Sequence, residues 1–105
     1  MKNVLLLLLL LNCNSKGELH NEVNLKNIYK ITYNNHIIEE KDKDNLVDLI
    51  GILKHSDGIW KFYKKQPLIL QYENKEIDTI YTNGFVFQYK DKYFVSKKNL
   101  LIQYQ

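Results

Sequence analysis

Between residues 67 and 95 the chain repeatedly runs a few strand-forming residues and then turns. Residues 68–73, 76–82, 85–90 and 92–95 are rich in Ile, Leu, Val, Phe, Tyr and Thr. Side chains of this kind suit a pleated, half-buried surface. The links between them are very short: Asn74-Lys75, Asn83-Gly84 and Asp91. A parallel crossover needs a dozen or more residues, so these strands can only pair antiparallel with their neighbours.

Asn83-Gly84 is the pair favoured by a two-residue type I′ hairpin. That turn would set Thr82 opposite Phe85, Ile80 opposite Phe87 and Asp78 opposite Tyr89 on one side. Tyr81 would face Val86, and Thr79 would face Gln88, on the other. The first side carries more apolar bulk and is expected to meet the core.

Upstream, residues 26–33 predict a partly buried strand, Asn34-Asn35 a turn, and residues 36–40 a returning strand. Residues 44–54 predict the one clear helix. Leu46, Leu49, Ile50 and Leu53 follow the helical spacing, with Asp44 as N-cap and Asp48 in the first turn. Residues 59–63 read as extended cover for this helix, with a short helix as the alternative. Residues 96–105 read as a short helix or a last strand, with Ser96 as a cap. The expected fold is α+β: a small antiparallel β-meander of about four to six strands packed against one amphipathic helix.

All fifteen basic residues are lysine, against twelve acidic ones, for a formal net charge of +3. There is no arginine and no alanine, while Asn, Ile, Lys and Tyr abound, as AT-rich codons would produce. Arginine is the side chain suited to bidentate phosphate and guanine contacts. Nucleic acid is therefore not an expected partner.

The first residues carry a different signal. Lys2 precedes an apolar run at residues 4–11, seven of them leucine, and Asn12-Cys13 closes it. As a helix this run would span about 12 Å, far short of the ~30 Å bilayer core. It has the length of a signal-peptide apolar region. Residues 1–13 resemble the signal peptide of a bacterial lipoprotein, with Leu10-Leu11-Asn12-Cys13 in the place of the lipobox. Asn12 departs from that family's usual small residue. The resemblance implies cleavage before Cys13, lipidation of its thiol, and a membrane anchor in the bacterial cell envelope, periplasmic or surface-facing. Residues 1–12 are then a signal peptide, 13–24 a lipidated cysteine with a flexible tether, and 25–105 a single small domain. With its one cysteine acylated, the chain keeps no thiol for a disulfide, a metal or catalysis.

Few residues suggest chemistry. His55-Ser56-Asp57 holds the residue types of a hydrolase triad, yet neighbours in one loop rarely converge, and a polar helix exit explains them. Asp42, Asp44 and Asp48 lack the Gly and Glu of a calcium loop; counting from Asp42, Val47 and Leu53 stand there. His20, His36 and His55 have no close ligand spacing. No catalytic residue, metal site or cofactor is expected. Residues 60–65 interleave aromatic and basic groups, and Trp and Tyr are frequent interface anchors. Trp60, Lys61, Tyr63, Tyr81 and Gln88 are the candidate partner-binding residues. The expected function is a non-enzymatic protein-binding module on the envelope, in specific form an inhibitor or immunity-type protein. Its partners would be the membrane, through the N-terminal lipid, and an envelope or secreted protein. The alternatives are an accessory subunit of an envelope complex and, behind it, a small enzyme gathering His36, His55, Asp57 or Asp78.

Overall fold

The computed structural model describes residues 17–57 and 62–105. The lipobox-like residues, Trp60 and Lys61 lie outside them.

Among the described residues seven strands form one antiparallel sheet: β1 (Ile28–Tyr33), β2 (His36–Ile37), β3 (His55–Ser56), β4 (Gln66–Tyr72), β5 (Ile77–Thr82), β6 (Val86–Tyr89) and β7 (Lys92–Val95). Their order is β2-β1-β4-β5-β6-β7-β3. The helix α1 (Glu40–Gly51) joins β2 to β3. The α+β expectation holds at that level, with more strands than the four to six expected. Strands β4 to β7 are a meander. The others are not in chain order: β1 pairs with β4, and β3 pairs with β7 at the far edge.

This order explains the helix. β2 and β3 occupy opposite edges, six strand spacings or about 29 Å apart. The twelve residues of α1 cover about 18 Å of that gap. The helix therefore crosses the sheet and buries its apolar stripe on the way. Leu46 and Ile50 join Ile31, Leu68, Leu70, Ile80, Phe87 and Phe94 in one core cluster, with Val47 and Leu53 packed against it. The helix spans Glu40–Gly51 in place of the expected 44–54, so it begins and ends earlier than the pattern suggests. Asp44 is not its N-cap but an exposed residue inside it, and the cap position is Glu39. The expected strand at 36–40 accordingly stops at Ile37.

The early start of α1 places Lys43 on the inner side. Only 9% exposed, it donates from Nζ to the carbonyls of Ile28 (2.9 Å) and Tyr29 (3.4 Å) and pairs with Glu40 at 2.7 Å. Those carbonyls sit where β1 bulges, between Ile28 and Lys30. A bulge removes carbonyls from the ladder, and a buried carbonyl needs a donor.

The two hairpin turns exchange roles. Asn34 and Asn35 have φ of 52° and 66°, and Tyr33 pairs directly with His36. Positive φ at both central residues is what a two-residue type I′ hairpin requires. The Asn83-Gly84 link is wider. Thr82 pairs with Phe87 and Tyr81 with Gln88, two positions away from the expected register. The residues in between are held otherwise: Asn83 Oδ1 accepts from the N–H groups of Phe85 and Val86, and Gly84 N–H donates to Thr82 Oγ1. The carbonyls of Gly84 and Phe85 accept from Leu100 and Ser96 in the C-terminal segment. Because the slip is an even number of residues, no side chain changes face. Ile80, Thr82 and Phe87 are still inside, but Phe85 is left 41% exposed.

Three further segments differ from expectation. The stretch read as a tether enters the core by Leu19, 0% exposed, and Val23, 2% exposed. Leu19 to Asn21 form a 3-10 turn, and Leu19 N–H donates to the Leu53 carbonyl. The domain thus begins well before residue 25. His55 and Ser56 form an edge strand rather than a helix exit. The C-terminal segment is neither a last strand nor an α-helix. Leu101 is fully buried, a 3-10 turn covers Ile102–Tyr104, and Ser96 holds a local turn by exchanging hydrogen bonds with Lys98. Of the expected extended cover at 59–63, the described part is irregular.

Candidate interaction surface

The helix occupies one face of the sheet. On the other, alternation along β5 and β6 sets Tyr81 directly beside Gln88, and β7 continues the row with Tyr93. Tyr81 is 45% exposed. The segment entering β4 supplies the rest of this cluster. Lys65 Nζ stands 5.8 Å from the Tyr81 ring centre, 5.5 Å from that of Phe62, and 3.4 Å from Gln88 Oε1, to which it donates. An ammonium at these distances is attracted to the negative ring faces. Gln88 in turn donates to the Lys90 carbonyl at 3.3 Å. The result is a lysine held between two aromatic rings and an amide, at the protein surface.

Two of the five candidate partner-binding residues, Tyr81 and Gln88, are therefore brought together. Tyr63 is not with them. It is 90% exposed and lines a cavity of about 440 Å³ with Tyr33, Gln66, Phe85 and Gln105. Lys64 has a φ of 61°. This left-handed residue turns the chain between Tyr63 and Lys65, and Phe62 and Lys65 share the cluster. Sequence reasoning missed these two. Their presence in the same aromatic–basic run was the only signal available.

A second polar group lies on the core side. Asp78 accepts from the Tyr72 hydroxyl at 2.9 Å and from the Tyr89 hydroxyl at 3.1 Å. Burial pushes the Tyr72 hydroxyl well above the ordinary tyrosine range, and donation to Asp78 adds to the shift. Tyr89 is raised by the same two causes in the same order. Both oxygens of the carboxylate are thus engaged by neutral donors. An open cavity of about 330 Å³ beside it is lined by Asn24, Asn27, Glu73 and Glu76.

His36, His55, Asp57 and Asp78, the residues named for a small enzyme, do not share one site. His36 lies in β2 and His55 in β3, at opposite edges of the sheet, with Asp78 in the strand midway. His36 stacks obliquely on Tyr104 at 6.4 Å, and His55 sits edge-on to Phe94 at 5.8 Å. Asp57 is 3.8 Å from His55 Nδ1 and fully exposed. His20 pairs locally with Glu18 at 2.7 Å. Among the described residues no three His, Cys, Asp or Glu side chains are placed to hold a metal ion, and no helix is long and apolar enough to cross a membrane. No family model, curated protein or solved structure matches this chain.

Proposed function

We propose that this chain is a bacterial envelope protein, anchored by lipid on Cys13, whose domain is a protein-binding module of the inhibitor or immunity type. The anchor rests on the lipoprotein-like residues 1–13. The binding role rests on one observation: the cluster of Lys65, Phe62, Tyr81 and Gln88 on the sheet face opposite α1. Aromatic side chains are frequent anchors in protein interfaces. Here they are already ordered by each other, which lowers the entropy lost when a partner docks.

The test is site-specific photo-crosslinking in the producing cell. A photoreactive residue replaces Tyr81 in one strain and Tyr29, 64% exposed on β1, in another. The expected result is one dominant adduct from position 81 that disappears with Lys65→Glu. Equal adducts from both positions would refute this surface. Cys13→Ser, followed by membrane fractionation, tests the anchor separately.

A further inference from the structure

The end of α1 and the end of β7 leave an apolar groove of about 600 Å³ between them. Leu49, Leu53, Val95 and Leu100 are its half-buried walls, and Ile52 stands at its mouth, 61% exposed. Lys54, Lys97 and Lys98 rim it. All three are exposed, and none forms an ion pair among the described residues.

The chain enters the domain at this same place. The Gly17 carbonyl accepts from His55 N–H, Glu18 and Lys54 form an isolated backbone β-bridge, and Leu19 N–H donates to the Leu53 carbonyl. Only three residues separate Cys13 from Gly17, and the four chain steps between them span about 14 Å at most. A lipid on Cys13 therefore holds this end of the domain within about one headgroup layer's reach of the bilayer surface.

From the groove, its lysine rim and the short leash we infer that this face rests on the membrane and binds anionic lipid headgroups. Ile52 dips into the interface and the three lysines lie over the phosphates. Apolar insertion beside a cationic rim is how interfacial segments hold anionic bilayers. The inference depends on the acylation of Cys13 proposed above. It adds an orientation: the Tyr81 cluster, on the sheet face away from α1, stays open to a partner.

The experiment uses the full processed chain in vesicles, either rich in phosphatidylglycerol or made of phosphatidylcholine. A fluorophore is attached through Ile52→Cys, or through Ile37→Cys at the opposite sheet edge. Quenching by headgroup nitroxide lipids is read, and acylation of Cys13 is checked by mass spectrometry on the same sample. The expected result is strong quenching at position 52 and weak quenching at 37, in the anionic vesicles. Combined Lys54→Gln, Lys97→Gln and Lys98→Gln weaken the face-on state by roughly fivefold per lysine. Acylated protein with equal quenching at both positions overturns the inference while the anchor stands. Quenching at 52 that ignores both lipid charge and the lysines overturns the anionic assignment. An unmodified Cys13 overturns the anchor, and this orientation with it.

Discussion

Tyr33 and Thr82 lie 49 positions apart in the chain, and the Tyr33 hydroxyl donates to the Thr82 carbonyl at 3.2 Å in the core. The bond ties the end of β1 to the end of β5, across β4. Gln105 reaches the same hydroxyl at 3.4 Å and the Asn83 carbonyl at 2.5 Å, so the C-terminal segment closes over the pair. Tyr33→Phe removes the donor and leaves a buried carbonyl short of a partner. The expected cost is about 1–3 kcal/mol, read as a lower urea midpoint with unchanged slope.

Leu19 tests where the domain begins. A tether residue would tolerate any side chain, whereas a fully buried leucine would not. Leu19→Ala is expected to cost about 2–5 kcal/mol, and the neighbouring exposed His20→Ala less than about 0.5 kcal/mol. Denaturant unfolding of the two variants side by side checks this. Equal midpoints would return residues 17–24 to the tether.

Lys43 holds the bulge of β1. Lys43→Met keeps the apolar stem but strips the carbonyls of Ile28 and Tyr29 of their donor. A loss of about 1–3 kcal/mol is expected. Hydrogen exchange should show faster opening at the start of β1 than in the β5–β6 hairpin.

The two tyrosines on Asp78 set an alkaline limit. Their folded-state pKa values are raised, by burial first and then by the hydrogen bond to Asp78. The unfolded chain therefore releases these protons first. Their contribution is complete below about pH 10, the ordinary tyrosine value, and is lost as pH rises above it. Tyr72→Phe should flatten the decline in stability above pH 10 and leave the shape of the profile near neutrality unchanged. A profile as steep as the parent's would refute this.

Much of the fold can be read in the residues themselves, because strand patterning is local. The apolar alternation of residues 68–95 and the brevity of their links dictate antiparallel neighbours. The helical spacing of Leu46, Leu49 and Ile50 dictates one amphipathic helix. The inward set of Ile80, Thr82 and Phe87 could be chosen in advance, since a register slip of two preserves the face. The resemblance of residues 1–13 to a lipoprotein signal, and the anchor proposed from it at Cys13, rest on sequence alone.

Tertiary structure decided the rest, because it joins residues that no local pattern links. The slip at Asn83-Gly84 arises from Ser96 and Leu100, whose N–H groups take the carbonyls of Phe85 and Gly84. The N-cap at Glu39 accompanies a helix start that carries Lys43 to the bulge of β1. Leu19 and Val23 look like tether residues until α1 and the sheet leave a place for them. Lys65 and Phe62 meet Tyr81 and Gln88 because the chain turns at Lys64 before entering β4. Each of these is a contact across the sequence, formed once burial of the helix stripe on the sheet has brought the distant segments together.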